Sequence, residues 1–396
     1  MSSLDAELGR RLEAVRQQNL LRELRRVDSP QGARVSIGGK TLLNFSSNDY
    51  LGLANHPALK EAAIEAVKTF GAGVGASRLV SGSLAPFHQL EESLADFKGT
   101  EAALTFSTGY ATALGAITAL AGKGDVIILD KLVHASIVDA AKLSGARIRV
   151  FTHNDLNDLE DILKWASARA AANPVSSPGH TLVITESIFS MDGDAAPLHE
   201  IVELKNRYGA WLMVDEAHAT GLYGKRRRGL AEELGVSEQV DIHMGTLGKA
   251  IGAGGGYICG SRKLIDLLVN QARSFIFSTA PVPASVAAAT AGIALIRSAE
   301  GAALNVRLWS HVKAFRSIIP DAKSKTVSAI LPIIVGAESK ATAFAASLLE
   351  HSIFVPAIRY PTVARNAARL RITLSAAHTD QDVAELVKAL KTLIDK

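Results

Sequence analysis

Short apolar segments alternate with stretches of helical periodicity along most of the chain. Each apolar segment is bounded by glycine or aspartate and has the length of one β-strand. Continuous apolar strands separated by helices need cover on both faces, so the pattern predicts a mostly parallel sheet between layers of helices. The strands are expected at Ala102–Phe106, Val126–Leu129, Arg149–Phe151, Leu182–Thr185, Trp211–Val214, Ile242–Met244 and Gly256–Cys259.

The two ends of the chain have different patterns. From Leu4 to Arg26 apolar residues recur at helical spacing, which predicts an amphipathic arm laid on the body of the protein. The next segment, ARVSIGGKTLLNFSS, predicts a hairpin that turns at Gly38-Gly39. Beyond Pro281-Val282-Pro283 an alanine-rich helix leads into a smaller α+β unit. Its strands and closing helix are expected at Ala329–Val335, Phe354–Ala357, Leu370–Leu374 and Asp380–Ile394.

The chain is long enough for two packed domains. It has 396 residues, of which 48% are hydrophobic and 21% charged, so it can bury a substantial core. We predict an α/β protein in three segments. Residues 1–45 are expected to form an N-terminal helical arm and hairpin, residues 46–285 a large domain, and residues 286–396 a small C-terminal domain.

Charge and cysteine content narrow the class of protein. The net charge is +4, and the cations are scattered apart from Lys225–Arg228 and the group Arg22, Arg25 and Arg26. Short basic runs are typical of a solvated face or a substrate-facing loop, so we expect no nucleic-acid partner. A single cysteine, Cys259, excludes an internal disulfide. The charged N-terminus has no signal-peptide core and no apolar run is long enough for a membrane span, so a cytoplasmic protein without a membrane partner is expected.

Candidate chemistry follows the predicted strands directly. Ligands of open parallel sheets bind beyond the carboxyl ends of the strands. Asp215 and His218 follow one strand there, and an aspartate in a dry site is costly unless a cation such as a protonated pyridine nitrogen faces it. Residues 107–110 (STGY) open a helix, which fits either a phosphate site or an ordinary helix cap. His134 taken alone fits a structural hydrogen-bonding role equally well.

Lys249 lies in the run GTLGKAIGAGGG, among small and apolar residues and without an acidic residue. Such surroundings favour a neutral amine, which a lysine that forms a Schiff base requires. The glycines would let a flat cofactor approach the backbone. In isolation, a surface lysine on a glycine-rich loop would be the better interpretation. Together with Asp215, His218 and the turn at 107–110, the Schiff-base interpretation is favoured.

Two nucleotide-binding interpretations fail on spacing. The tetrapeptide DEAH also forms the magnesium box of one helicase class, which requires an upstream G-x-x-x-x-G-K-[ST] loop. Around Gly39-Lys40-Thr41 the first required glycine is Arg34, and Lys249 is followed by Ala250. The run GAGVG at 71–75 misses the G-x-G-x-x-G spacing of a dinucleotide site. An ATPase and a nicotinamide enzyme are therefore disfavoured.

From about Leu20 to the C-terminus, the chain resembles the α-oxoamine synthases, which belong to the fold type I enzymes that depend on pyridoxal 5′-phosphate (PLP). The resemblance rests on motifs in the same order, namely FSSNDYLGL, STGYATAL, HAS, ESIFSMDGD, DEAHATG, GTLGKAIG, FIFSTAPVP and RLRITLSAAHT. It implies the PLP-dependent transferase fold, with a mostly parallel central sheet in a large PLP-binding domain and a smaller C-terminal α+β domain. It implies no metal site.

The resemblance also implies roles for single residues. Lys249 would carry PLP and move the substrate's α-proton, and Asp215 would pair with the pyridine nitrogen. The other implied cofactor contacts are His134 stacked on the ring, His218 and Ser190 at the phenolic oxygen, Gly109, Tyr110 and Thr246 at the phosphate, and Ser278 or Thr279 reaching across from a second subunit. The implied substrate residues are Arg371 for the amino-acid carboxylate, together with His134, Asn48, Arg22 and Thr362.

The activity implied is a decarboxylative condensation in a homodimer with shared active sites. The segments FSMDGDAAPL and AIRYPT are most similar to the branch that joins L-alanine to a pimeloyl thioester of coenzyme A or a carrier protein and yields 8-amino-7-oxononanoate. Arg359 is the expected partner of the acyl chain's distal carboxylate. Alternatives within the family are a glycine C-acetyltransferase, a 5-aminolevulinate synthase and a sphingoid-base synthase. A PLP aminotransferase is the alternative from another class of enzyme.

Overall fold

The structure, a computed structural model, describes residues 2–172, 179–319 and 328–394. In chain order its strands are β1 (Arg34–Ile37), β2 (Lys40–Asn44), β3 (Ala102–Phe106), β4 (Val126–Asp130), β5 (Arg147–Phe151), β6 (Thr181–Glu186), β7 (Trp211–Asp215), β8 (Ile242–Thr246), β9 (Gly256–Gly260), β10 (Ile330–Gly336), β11 (Ile353–Phe354), β12 (Ala357–Ile358) and β13 (Ala368–Thr373).

The helices, in chain order, are α1 (Ser3–Gln17), α2 (Pro57–Phe70), α3 (Ala85–Lys98), α4 (Gly109–Leu120), α5 (Ala135–Ser144), α6 (Leu156–Ala172), α7 (Leu198–Arg207), α8 (Leu230–Glu233), α9 (Arg262–Gln271), α10 (Arg273–Ile276), α11 (Pro283–Arg297), α12 (Ala299–Ile318), α13 (Glu338–Glu350) and α14 (Asp380–Ile394). The chain divides into two compact units. The larger unit comprises Leu51–Ser190 and Asp194–Val306, and the smaller unit comprises Met1–Tyr50, Met191–Gly193 and Arg307–Lys396.

The larger unit is built on a seven-stranded sheet in the order β3-β9-β8-β7-β6-β4-β5. Strand β9 runs antiparallel to both of its neighbours, and the remaining adjacent strands are parallel. This confirms the mostly parallel sheet that the apolar segments predict. Because parallel strands end at the same edge, the residues that follow β6, β7 and β8 lie side by side.

Burial of the sheet on both faces explains its apolar sequence. Every residue of β3, β4 and β9 is buried. Apolar side chains of α4 and α5, including Ile117 and Ile137, join the strands in one hydrophobic cluster. The buried apolar area is the main source of stability of such a layer.

The smaller unit contains two three-stranded sheets, ordered β1-β2-β11 and β10-β13-β12. The hairpin of β1 and β2 turns where predicted. Gly38 and Gly39 have φ angles of 57° and 75°, as a two-residue turn with both central residues left-handed requires. Glycine adopts these angles without the steric cost that a Cβ brings.

The N-terminal arm differs from the prediction. Its helix, α1, ends at Gln17, and the remainder of the predicted helical stretch up to Arg26 is not helical. Asn19, with φ of 56°, ends the helix through hydrogen bonds from the N–H of Asn19 to the C=O of Arg16 and from Leu20 to Val15. No residue of α1 is buried, so the expectation that the arm packs on the body of the chain is wrong for this helix. The segment after α1 does contact the rest of the smaller unit, through Arg22 and Tyr360 among others.

The predicted strand at Phe354–Ala357 is two short strands in different sheets. Phe354 belongs to β11, which pairs with β2, whereas Ala357 belongs to β12, which pairs with β13. Pro356 lies between them. Proline has no N–H to donate to a ladder, which explains why one continuous strand does not form.

The boundaries of the two units differ from those of the three predicted segments. The C-terminal boundary lies after Val306, because α11 packs against α2 and α3 in the larger unit. The N-terminal arm and hairpin belong to the same unit as the C-terminal part. Pairing of β2 with β11 and the hydrogen bond of 3.0 Å between His378 Nε2 and the C=O of Asn44 hold the hairpin there.

Candidate active site

A cavity of about 160 Å³ lies beyond the carboxyl ends of β6, β7 and β8 in the larger unit. Its lining mixes acidic, basic and small residues. The lining residues are Gly109, Tyr110, His134, Ser136, Glu186, Asp215, Ala217, His218, Met244, Gly245, Thr246 and Lys249. The fold thus brings together side chains that are up to 140 positions apart in the sequence.

Asp215 is fixed by the register of the sheet. It is the last residue of β7 and pairs with Glu186 of β6 on one side and Met244 of β8 on the other. The N–H of Ala217 donates to its Oδ1 at 2.9 Å, which orients the carboxyl group. Burial raises the pKa of Asp215, and the nearby Lys249 offsets part of that rise. A bound cation at this carboxylate would offset the rest.

Lys249 lies in the turn after β8, and its Nζ is 2.7 Å from Nε2 of His218. Its side chain is half-buried. The prediction of surroundings without an acid is wrong in three dimensions, because Glu186 and Asp215 line the same cavity. The sequence run around Lys249 could not show this, since both acids come from other strands.

His134 is the N-cap residue of α5. Its Nδ1 accepts from the N–H of Ser136 at 3.3 Å and lies 2.8 Å from the Ser136 hydroxyl. An acceptor role for Nδ1 places the hydrogen of a neutral ring on Nε2. Burial lowers the pKa of His134, so the ring is neutral at physiological pH and presents a flat, uncharged face.

The start of α4 forms the other end of the cavity. Thr108 caps this helix by accepting from the N–H of Ala111 at 3.0 Å. The first N–H groups of a helix have no partner within the helix and attract anions. A Cβ at Gly109 would come within 3.7 Å of Cβ of Thr246, so a side chain there would occupy this space. The geometry fits a phosphate group at this end.

Three predicted cofactor residues do not line the cavity. Ser190 is half-buried, and its N–H donates to Oε2 of Glu186 at 3.2 Å. Ser278 and Thr279 lie in the segment after α10, where the Ser278 hydroxyl donates to the C=O of Thr279 at 3.1 Å. In the single chain Thr279 is exposed and Ser278 is half-buried. A role in the site of a second subunit stays a prediction.

The smaller unit holds Arg371 in a defined position. Arg371 is a buried residue of β13, and its guanidinium donates to Oγ1 of Thr373 and to Oδ1 of Asn48, both at 3.1 Å. Two residues that the sequence analysis relates to one substrate are therefore in direct contact. A guanidinium fixed in this way suits recognition of a planar carboxylate.

The arm and the segment 359–362 bind each other through hydrogen bonds. Arg359 donates to the C=O of Asn19 and, at 3.5 Å, to that of Leu21. Arg22 donates to the C=O of Tyr360 at 3.2 Å, and the N–H of Thr362 donates to the C=O of Arg359 at 3.0 Å. The guanidinium of Arg359 thus contacts backbone carbonyls of the arm, and its contact with an acyl carboxylate stays a prediction.

Glu216 of the DEAH segment has a structural role. Its Oε2 lies 2.5 Å from Nζ of Lys98, and each side chain is 1% exposed. Burial acts against the charged carboxylate, but Lys98 outweighs it and lowers the pKa of Glu216 to about 2. The carboxylate is enclosed in an ion pair and is not arranged to bind magnesium.

Glu186 and Ser136 line the cavity although neither was among the predicted site residues. Glu186 ends β6 as Asp215 ends β7, so the rule that ligands bind beyond strand ends applies to both. Ser136 lies two residues after His134 at a helix start. The strand-end rule was sufficient to find Glu186, whereas the contact of Ser136 with His134 required the structure.

Neither a metal-binding cluster nor a membrane-spanning helix occurs among the described residues. In residues 2–172, 179–319 and 328–394, no group of His, Cys, Asp or Glu side chains is arranged to hold a metal ion. No helix within those ranges has both the length and the apolar character needed to cross a bilayer.

Comparison with known proteins identifies the family. Residues 40–390 match the aminotransferase class I and II family. The chain is 48% identical to an 8-amino-7-oxononanoate synthase of Geobacter sulfurreducens, covering 96% of this chain and 95% of the relative. It is 43% identical to the enzyme of the same name from Thermoanaerobacter pseudethanolicus, with 96% and 95% covered.

Solved structures agree with this assignment. A serine palmitoyltransferase from S. paucimobilis with a bound PLP–myriocin aldimine superposes with a TM-score of 0.90 at 29% identity, covering 99% of this chain and 98% of that chain. An 8-amino-7-oxononanoate synthase from Francisella tularensis gives a TM-score of 0.75 at 26% identity, covering 89% and 98%. The chain therefore belongs to the aminotransferase class I and II family, in the branch formed by the 8-amino-7-oxononanoate synthases.

Proposed function

We propose that this chain catalyses the PLP-dependent decarboxylative condensation of L-alanine with a pimeloyl thioester, which gives 8-amino-7-oxononanoate, carbon dioxide and a free thiol. The observation that carries the proposal is the cavity in which Lys249 lies 2.7 Å from His218 while Asp215 lines the same space. The 48% identity to a synthase of this name supports the choice of substrates.

The residues of the cavity fit PLP. When bound, PLP supplies an electron sink that stabilises a carbanion at the α-carbon of the amino acid. Asp215 would bind the protonated pyridine nitrogen, and this cation would compensate a buried carboxylate. The N-terminus of α4, with Gly109 and Tyr110, and the nearby Thr246 would bind the phosphate. His134 would stack on the ring, and His218 and Ser190 would bind the phenolic oxygen.

Lys249 is the proposed base. Its Nζ would remove the α-proton of L-alanine and later return a proton to the product, since a lysine amine near a base can both accept and donate. His218 Nε2, 2.7 Å away, holds Nζ in position through a hydrogen bond. The neutral His134 ring would cover the reacting face of the substrate and limit access of water.

Substrate selection is assigned to residues of the smaller unit. Arg371 would bind the carboxylate of L-alanine, with Asn48 fixing its guanidinium. The acyl group of a pimeloyl thioester ends in a second carboxylate, which needs a cation other than Arg371. Arg359 and Arg22 are the proposed cations, and Thr362 is placed beside them by its hydrogen bond to the C=O of Arg359.

We further propose that the protein is a homodimer in which Ser278 and Thr279 of one chain serve the phosphate site of the other. Exposed apolar side chains support this assembly, since large exposed apolar patches mark interaction sites. Val80 is 80% exposed and Phe277, next to Ser278, is 72% exposed in the single chain.

One assay tests the activity. Purified protein with PLP is given L-alanine or glycine together with pimeloyl, acetyl or palmitoyl thioester, on coenzyme A and on a carrier protein. The pairing of L-alanine with pimeloyl thioester should release free thiol fastest and give a product with the mass of 8-amino-7-oxononanoate, and Lys249→Ala should abolish both signals. Faster turnover of glycine with acetyl-CoA would replace the proposal with a glycine C-acetyltransferase.

A further inference from the structure

Glu186 is a buried acid in the cavity whose side chain is only partly satisfied. It is 2% exposed and lines the same space as Asp215 and Lys249. Its Oε2 accepts from the N–H of Ser190 at 3.2 Å. Its Oε1 is buried and has no hydrogen-bond partner among the described residues. A buried polar atom without a partner is costly, so something that enters the cavity is expected to bind it.

The position of Glu186 decides its protonation. It is paired in register with Asp215, so two carboxyl groups lie at the ends of adjacent parallel strands in a dry site. Two buried carboxyl groups that share a site do not both ionise readily. Burial, and then the charge of Asp215, raise the pKa of Glu186 to about 8, while Lys249 and the backbone N–H groups of His134 and Ser190 oppose this only in part. Each carboxyl group accepts a backbone N–H, Asp215 from Ala217 and Glu186 from Ser190. A pyridinium cation bound at Asp215 would stabilise the charge there, and Glu186 would then keep the proton.

We infer that Glu186 is a further cofactor-contacting residue, which acts as a neutral hydrogen-bond donor from Oε1 to an acceptor oxygen of bound PLP. The inference rests on the cofactor part of the proposed function and not on the choice of substrates. It leaves one negative charge, on Asp215, to face the pyridine nitrogen. It also ties the loop that carries Ser190 to the cofactor, because Oε2 accepts from the Ser190 N–H.

Two neutral substitutions of similar size distinguish the hydrogen-bond donor of Glu186 from the space that its side chain fills. Glu186→Gln keeps an N–H donor, whereas Glu186→Met fills the same space without one. The dissociation constant of PLP is measured at pH 7 by fluorescence titration of the full chain, with the thermal unfolding midpoint recorded to show that each variant folds. PLP should bind the Met variant about tenfold more weakly than the Gln variant, as loss of one neutral hydrogen bond predicts.

The pH dependence provides the second measurement. Above about pH 8 Glu186 ionises, loses its donor hydrogen and adds a second negative charge beside Asp215. The ratio of the PLP dissociation constants of wild type and Glu186→Gln should therefore rise between pH 7 and pH 9. Tyr110, His134 and His218 are present in both proteins, whereas the charges of Asp215 and Lys249 interact with that of Glu186. The ratio therefore reports the ionisation of Glu186 together with its effect on those two groups.

Two outcomes of these measurements would contradict a hydrogen bond from Glu186 to PLP. Equal binding of PLP by the Gln and Met variants would overturn the inference, as would a ratio of wild type to Glu186→Gln that stays constant from pH 7 to pH 9. PLP binding is read without substrate, so the inference stands or falls separately from the condensation activity. A chain that binds PLP normally but makes no 8-amino-7-oxononanoate would contradict only the proposed reaction.

Discussion

Asp215 is a buried acid with few groups that stabilise its charge. Its partners are the N–H of Ala217 and the field of Lys249, which arrives from the turn after β8. A buried carboxylate with so few partners is expected to interact strongly with a cation that enters the cavity. This is the physical reason for assigning the pyridine nitrogen to Asp215 and not to one of the exposed acids.

Asp215→Asn removes this charge while nearly preserving volume. A charge-assisted hydrogen bond contributes on the order of 1.5–3 kcal/mol. At about 1.4 kcal/mol per factor of ten, turnover should fall by roughly ten- to a hundredfold while the thermal unfolding midpoint changes little. The measurements are kcat with saturating substrates and the unfolding midpoint. Asp266→Asn, at an exposed position of α9, is the matched control.

An Asp215→Asn protein that keeps wild-type turnover would remove Asp215 from the mechanism. A protein that loses turnover only because it unfolds would show it in the unfolding midpoint. The control at Asp266 should keep both turnover and midpoint, since that side chain is exposed and does not line the cavity.

At the scale of elements, the side chain of His153 connects three segments of the larger unit through hydrogen bonds. His153, after β5, lies 2.9 Å from Oδ1 of Asp130 at the end of β4 and 2.7 Å from Oδ2 of Asp194 in the loop after β6. Both ring nitrogens face carboxylates, as a charged ring requires. Burial lowers the pKa of His153, but its hydrogen bonds to the two acids outweigh this and raise the pKa to about 10.

His153→Gln should therefore destabilise the protein in a pH-dependent way. The pKa of His153 is higher in the folded chain than the ordinary 6.5, so its stabilisation is complete below pH 6.5 and is lost as the pH rises towards 10. The difference in thermal unfolding midpoint between wild type and variant should be largest at pH 6 and smallest at pH 10. The control is His199→Gln on α7, where the ring lies 3.5 Å from the one exposed carboxylate of Glu203. Because exposed pairs contribute little, this variant should change the midpoint much less. A difference that stays constant from pH 6 to pH 10 would show that His153 is not charged by its partners.

Elements with a strong local pattern were predictable from the sequence. The apolar runs place the strands of the large sheet, and Gly38-Gly39 places the hairpin turn. The pair β11 and β12 was not predictable, because two-residue strands are defined by their partners β2 and β13 and not by their own sequence. For a related reason the sequence did not show that no residue of α1 is buried in the single chain. The helical periodicity of the arm is real, but periodicity does not specify which surface covers the apolar face.

In the candidate site, too, residues marked by the local sequence were predictable, and contacts between distant strands were not. Asp215 and His218 could be found because they directly follow a strand in the sequence. The contact of Lys249 with His218, and the shared cavity of Glu186 and Asp215, arise from the order of β6, β7 and β8 in the sheet. The order of strands in a sheet depends on contacts between residues far apart in the sequence. The residues around Lys249 therefore do not reveal which strands lie beside it.

At the scale of the whole molecule, the single chain exposes several large apolar side chains. Leu24 is fully exposed, and Leu4 is 64% exposed on α1. Phe277 precedes the predicted phosphate ligands Ser278 and Thr279 directly. A second copy of the chain would account both for the exposed apolar surface and for hydroxyl groups that do not line the chain's own cavity.

This assembly predicts complementation between two defective chains. One chain carries Lys249→Ala, and the other carries Ser278→Ala with Thr279→Ala. In a heterodimer with shared sites, the Lys249 of the second chain meets the intact Ser278 and Thr279 of the first, so one complete site forms. Heterodimers purified through two different affinity tags should show about half of the wild-type activity per dimer, since one of two sites is complete.

Both parent homodimers serve as controls, because the first lacks the lysine in each site and the second lacks the hydroxyls in each site. If the sites are not shared, the heterodimer has one site without lysine and one without hydroxyls, and its activity cannot exceed half that of the second parent. Activity at or below that value in verified heterodimers would contradict the shared site while leaving the roles of Lys249 and Asp215 within one chain intact. A heterodimer that recovers half of the wild-type activity would place Ser278 and Thr279 beside the partner's cavity and would explain why neither lines its own.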